Sequence, residues 1–185
     1  MSGSDLWKYC TMEHCKELLL SFGLLGDTSW TEAKQLACLY AVANHVEKHY
    51  RPVTILKRDG SPRSLLVPDP LLKRIQRNLL HGVLDGMDVS QYATAYRKGS
   101  SIVSNAAAHV GKPQILKLDI EHFFDNIHFL MVYRSVFSAS LFPVPVGTLL
   151  THFCCYRDRL PQGAPTSAAI SNLVMRSFDA YIGTW

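Results

Sequence analysis

The apolar positions of the first fifty residues recur at helical spacing in two groups. Leu18, Leu19 and Phe22 form the first, and a glycine break at Gly23 and Gly26 separates them from Leu36, Leu39, Tyr40, Ala43 and Val46. Residues three and four apart share one face of a helix, so both groups predict packing helices. Ser29 followed three residues later by Glu32 has the form of a capping box and predicts the start of the second helix. From Pro52 the pattern shortens to β-type runs, 53–56 and 64–67, on either side of Arg58-Asp59-Gly60-Ser61-Pro62, which predicts a hairpin with a basic loop. Pro68 and Pro70 stop the second run. Helical spacing then resumes over 71–84, with Lys73, Arg74 and Arg77 on the side away from Leu72, Ile75 and Leu79.

Residues 85–111 are rich in Gly, Ser and Ala, and the regular element predicted there is a helix of small residues over 101–109. The apolar run 115–120, broken by Lys117 and Asp119, has the length of a buried strand whose end turns an acid outward. Residues 129–137, 145–155 and 165–181 predict three more helices, the last opened by Pro165 in its first turn. The mixture is α+β.

Composition narrows the class. A chain of 185 residues, 48% hydrophobic and 18% charged, can bury a core of one domain or two small ones, which excludes global disorder. No run approaches the roughly 20 apolar residues of a membrane span, and residues 1–16 lack a basic flank followed by an apolar run, so a soluble, cytoplasmic protein is expected. Five cysteines without C-x-x-C spacing predict reduced packing residues rather than a zinc site. The net charge of +4 hides an asymmetry: residues 48–118 hold twelve Lys/Arg against four Asp, a local +8, which leaves −4 elsewhere. A basic block interleaved with aromatics, as at His49-Tyr50-Arg51 and Tyr96-Arg97-Lys98, suits a polyanion, because neutralised phosphates release counterions. A solvated basic face is the alternative.

Two segments carry candidate chemistry. In Lys117-Leu118-Asp119-Ile120-Glu121-His122-Phe123-Phe124-Asp125-Asn126-Ile127 an acid ends an apolar run and two aromatics follow it. A carboxylate there either holds a hard cation such as Mg²⁺ or caps a turn. In Leu160-Pro161-Gln162-Gly163-Ala164-Pro165-Thr166-Ser167 an amide and a flexible glycine precede a helix of small residues. Such a loop either meets a nucleotide closely or serves as a helix entry.

Together these segments resemble the reverse transcriptases. LDIEHFFDNI looks like the family's first palm motif and LPQGAPTSAAISNL like its helix motif with the LPQG loop. Residues 55–68 with Leu72-Lys73-Arg74-Ile75-Gln76 are similar to a fingers motif, and Tyr96-Arg97-Lys98-Gly99-Ser100-Ser101-Ile102 running into Asn105-Ala106-Ala107-Ala108-His109 looks like the next one, in its retron-type form. The resemblance covers about 50–181 and implies a helical extension (1–49), fingers (50–112) and the first part of a palm (113–185). It implies an RNA-directed DNA polymerase of bacterial retron type, with group II intron enzymes as near neighbours, that uses Mg²⁺, dNTPs and an RNA template with primer. A structured non-coding RNA partner and a role in antiviral defence belong to the same expectation.

By position, the resemblance makes Asp119 the catalytic ligand of both metal ions and Ile120 a backbone-carbonyl ligand of one. It places Phe124 at the steric gate against a ribonucleotide 2′-hydroxyl, Lys57 and Arg63 on the triphosphate, and Gln162 beside the incoming sugar. Arg58 competes with Lys57 for that role, and Arg58, Lys73, Arg74, Arg97 and Lys98 are expected to touch nucleic acid. Asn105 and His109 are expected to play a structural hydrogen-bonding part. The chain departs from the family in one respect: it has no Asp-Asp pair and hence no Tyr-x-Asp-Asp motif. The expectation is therefore a fragment inactive alone, with an unprotected strand edge at 115–120, or one completed by a second chain. A non-catalytic nucleic-acid-binding module is the alternative.

Overall fold

The computed structural model describes residues 7–97 and 99–184. The chain begins with helices α1 (Met12–Ser21) and α2 (Glu32–Asn44), then a 3₁₀ turn at Val46–His49 and a hairpin of β1 (Tyr50–Leu56) and β2 (Pro62–Pro68). Helices α3 (Pro70–Gly82), α4 (Ile102–Ala107), α5 (Phe129–Ser135), α6 (Val144–Cys154) and α7 (Ser167–Ile182) follow.

The caps explain where the helices start. Thr11 accepts from the His14 amide, and His14 Nδ1 in turn takes the Thr11 N–H, a reciprocal box that opens α1. The second helix is capped by Thr31, whose side chain accepts from the Lys34 amide. The Ser29/Glu32 box expected from sequence is not the one used, because Thr31 offers a hydroxyl directly before Glu32. Asp69 caps α3 through Leu72 N at 2.8 Å, and Pro70 takes the first position, where no amide donor is needed. Pro165 precedes the cap of α7, Thr166, so the last helix starts after the proline rather than on it.

Helix α6 is the hub. It packs against α1, α2, α3 and α5, and seven of its eleven residues, between Val146 and Cys154, are buried. Gly147 makes this possible: a Cβ there would run into the carbonyl of Phe137. Leu150 and Phe153 of α6 pack among Leu19, Leu39, Leu72, Ile75, Leu79, Val132, Phe137 and Ile170, each 0–2% exposed, so the helical periodicity read from sequence marks core faces, with Tyr40 the exception at 36% exposed. Gln76 crosses this core, donating to Tyr50 Oη at 2.6 Å and to the Phe153 carbonyl at 2.7 Å. Burial pushes the Tyr50 phenol far up in pKa, so it stays protonated.

The hairpin is antiparallel, pairing Tyr50 with Pro68 and Leu56 with Pro62; β1 starts three residues before the apolar run 53–56 and ends with it, and β2 extends the run 64–67 by two residues at its start and one at its end. Its tip is held by Asp59, whose Oδ1 accepts from both the amide (2.9 Å) and the hydroxyl (2.6 Å) of Ser61. Gly60 supplies the positive φ of +80° that this turn needs.

One expected element is absent. Residues 115–120 form no strand: β1 and β2 make the one sheet among the described residues, and Ile115, Leu116 and Leu118 are 61–82% exposed. A strand exists only when a neighbour takes its N–H and C=O groups, and no described segment pairs with this one. The helix of small residues is shorter than 101–109, ending at Ala107, and is exposed throughout.

Candidate functional site

Three backbone connections draw distant segments together. The Leu160 amide donates to the Ile127 carbonyl at 2.9 Å, and the Phe129 amide donates to the Asp158 carbonyl at 3.0 Å, which ties the loop before α7 to the segment that follows Asp119. The Leu66 amide, in the middle of β2, donates to the Gln162 carbonyl at 2.8 Å. The same loop is braced from behind by Ser167 Oγ, which donates to the Pro161 carbonyl at 2.6 Å. Gly163 lies hard against the hairpin with φ +118°, and a Cβ at that position would sit 2.9 Å from Leu66 O. A glycine at this close approach is therefore required by both conformation and space.

The segment from Asp119 to Asp125 folds into a tight turn. The Asn126 side chain donates to the carbonyls of Glu121 (3.1 Å) and His122 (3.2 Å), and its amide reaches the carbonyls of His122 and Phe123. His122 takes φ +49° to close the turn and lies 3.5 Å from Glu121 and 3.8 Å from Asp125. The rings of Phe123 and Phe124 are 5.5 Å apart, both half-buried against the core, so the aromatic pair anchors a turn whose acids face outward.

These connections leave an open cleft of about 630 Å³ between the hairpin and this turn. Lys57, Arg63 and Ser64 line it from the hairpin, Asp119, Ile120 and Phe124 from the turn, and Gln162 from the loop before α7. Six residues singled out from sequence, spread over more than one hundred positions, thus share one cavity. Glu121, His122, Phe123 and Asp125 line it as well and were not picked as site residues. Their place inside the same motif as Asp119 is the signal that could have found them. Among the described residues no three His, Cys, Asp or Glu side chains converge as a metal site.

The expected nucleic-acid contacts do not gather in one place. Arg58 is exposed on the hairpin turn, outside the cleft. Lys73 and Arg74 line a separate open groove of about 750 Å³ at the base of the hairpin, together with Lys48, Arg51 and Arg77, which sequence reading placed in the basic block without assigning a contact to Lys48 or Arg51. The groove has one carboxylate, Asp69, engaged with His49 Nδ1 at 2.7 Å. Arg97 is elsewhere, in a smaller pocket with Asp85, Asp88 and Asn172, and donates to the Ser90 carbonyl. Lys98 lies outside the described residues. Asn105 accepts from Thr94 Oγ1 at 3.1 Å, a structural bond, while His109 is exposed.

The sequence that builds this cleft is similar to that of known proteins. Residues 55–184 match the family model described as reverse transcriptase (RNA-dependent DNA polymerase). The chain is 33% identical over 132 residues to the retron Ec86 reverse transcriptase of Escherichia coli, covering 70% of this chain and 41% of that protein. It is 33% identical over 150 residues to the retron Mx65 enzyme of Myxococcus xanthus, covering 71% and 35%, and 32% identical over 146 residues to the retron Ec83 enzyme of E. coli, covering 74% and 47%. The matched part is thus less than half the length of these relatives. With the family model spanning more than half of the chain and the cleft built from the segments it covers, the chain belongs to the reverse transcriptase family, and its relatives are retron enzymes.

Proposed function

We propose that this chain is the fingers (50–112) and first part of the palm (113–185) of an RNA-directed DNA polymerase, behind a helical extension (1–49), and that the cleft holds the incoming dNTP. The observation that carries this reading is the convergence of Lys57, Arg63, Asp119, Ile120, Phe124 and Gln162 on one cavity. Lys57 and Arg63 bind the triphosphate from the hairpin, the Arg with two parallel donors. Gln162 supports the sugar, and the Phe124 ring excludes a 2′-hydroxyl. The groove with Lys73 and Arg74 takes the phosphates of RNA, where contact is electrostatic and independent of sequence.

Asp119 and the Ile120 carbonyl are oxygen donors on the exposed side of the cleft, the donor type that Mg²⁺ uses when phosphates and water complete its shell. Bound there, Mg²⁺ supplies charge neutralisation between triphosphate and carboxylate. The donors for two ions are incomplete in this chain, which has no convergent trio of ligands among the described residues and no Asp-Asp pair. Nucleotidyl transfer from the isolated chain is therefore not expected.

A second reading, a nucleic-acid-binding module without catalysis, draws on that incomplete donor set and on the larger volume of the basic groove. Primer extension on an RNA template with dNTPs and Mg²⁺ separates the two, comparing the 185-residue chain with one extended by the sequence downstream in its gene, each also as Asp119→Ala. Activity in the extended form alone, abolished by Asp119→Ala, supports the polymerase. An inactive extended form with salt-sensitive RNA binding indifferent to Asp119→Ala supports the module.

A further inference from the structure

Cys10 and Cys15 sit on either side of the α1 cap. With Thr11 as the cap, Cys10 is the residue before it and Cys15 the fourth residue of the helix. Helices often clamp their entry by packing apolar side chains from these two positions against each other. Here the clamp is made by two thiols, with Sγ atoms 3.7 Å apart. Both side chains line an open cavity of about 430 Å³ whose other walls include Trp7, Met12, Pro143 and Val144. A small reagent therefore has a route to Cys10, the half-buried one of the two, while Cys15 is buried behind it. The other three cysteines differ: Cys154 and Cys155 are buried in and just after α6, and Cys38, on α2, has no hydrogen bond to another cysteine among the described residues.

We propose that Cys10 and Cys15 are a dithiol modification site that a small disulfide oxidises to an intramolecular bond. Cys10, the more exposed of the two, reacts first as its thiolate. It attacks one sulfur of the reagent, forms a mixed disulfide and expels one equivalent of the small thiolate. The Cys15 sulfur then attacks Cys10 Sγ, the S–S bond to the small thiol breaks, and a second thiolate leaves. The two protons of the protein thiols end on the two small thiols, so one reagent disulfide is reduced for each protein bond formed. Burial, followed by the neighbouring Cys10, raises the pKa of Cys15, which makes it the resolving rather than the attacking sulfur. Little movement is needed, since the sulfurs close from 3.7 Å to the ~2.05 Å of a disulfide without moving α1 off its packing. The bond would fix the chain preceding α1 to Cys15, which is itself a core residue.

The test is to equilibrate the folded chain with excess oxidised glutathione, trap free thiols by alkylation at low pH, and map the products by mass spectrometry. The expected product is a Cys10–Cys15 bond, with Cys38, Cys154 and Cys155 recovered as free thiols. Cys15→Ser should stop the reaction at a glutathione adduct on Cys10, and Cys10→Ser should leave Cys15 unmodified. The oxidised wild type should melt higher by about 4 °C, the scale expected for closing a short loop in a chain of this size. A persistent glutathione adduct on wild-type Cys10, no modification of either residue, or a bond from either to Cys38 would overturn the proposal. None of these readouts depends on polymerase activity, so the outcome stands whether or not the proposed function holds.

Discussion

The clip between Gly163 and β2 can be tested against a control within the same hairpin. Both Gly163 and Gly60 have positive φ, +118° and +80°, but a Cβ at Gly60 meets nothing within 4 Å, whereas one at Gly163 meets Leu66 O at 2.9 Å and Leu65 Cβ at 3.4 Å. Gly60→Ala therefore carries backbone strain alone, about 1 kcal/mol. Gly163→Ala carries strain of about 1–3 kcal/mol and must also push away the Leu66 carbonyl. That movement threatens the adjacent Leu66 amide bond to Gln162, a loss of about 1 kcal/mol. The expected difference between the two variants is about 2 kcal/mol, read from urea midpoints at equal slope. Amide exchange adds a local readout: Leu66 should lose protection in Gly163→Ala and keep it in Gly60→Ala. Equal destabilisation within about 0.5 kcal/mol, with Leu66 still protected, would refute the idea that this loop is clamped by close backbone approach.

Gly147→Ala should destabilise by about 1–3 kcal/mol despite the better helix propensity of alanine, because the group in the way is the Phe137 backbone rather than a side chain that can turn aside; calorimetry should show a lower Tm. If the groove takes RNA as proposed, replacing Arg74 and Arg77 with Gln should weaken RNA binding across sequences and reduce the slope of log affinity against log salt by about 0.7–0.9 per residue, while leaving the proposed nucleotide binding in the cleft unchanged. The Asp59 carboxyl is held below its ordinary value of 3.8 first by the Ser61 hydroxyl and then by its amide, so its contribution to the turn is present above 3.8 and lost as pH falls through the lower folded value. An NMR titration should place its midpoint under 3.8, and Ser61→Ala should return it toward that value.

Helical spacing and turn chemistry were the legible parts of the fold. Leu72, Ile75 and Leu79 are fully buried as their spacing requires, and the Asp59-Gly60-Ser61 turn forms as its residue types demand. Local pattern failed where the deciding partner was distant. The 115–120 run has a strand's composition, but a strand is a relation between two segments, and no described segment pairs with this one. The cap of α2 was misplaced by two residues because Ser29 and Thr31 are both competent and sequence alone does not rank them. At the site, motif resemblance picked out six cleft residues, yet the bond that brings Gln162 to the hairpin is between backbone atoms, which leave no trace in side-chain identity.

The separation of charge distinguishes the two anion sites proposed for this chain. The cleft sets Lys57 and Arg63 against Asp119, Glu121 and Asp125, so its cationic side is the hairpin and its opposite side repels phosphate unless a cation intervenes. The groove at the hairpin base has five Lys and Arg around a single carboxylate that His49 and the Leu72 amide already occupy. A polyanion can enter the groove without help. In the cleft it can lie only along the hairpin side, with its charged end held toward Lys57 and Arg63. The cleft therefore imposes an orientation that the groove does not, which accords with the proposal of one nucleotide in the cleft and a nucleic-acid backbone along the groove. The hydrogen bond from Leu66 to Gln162 links the two, because β2 carries Arg63 in the cleft and Val67 and Pro68 in the groove, with the clip between them.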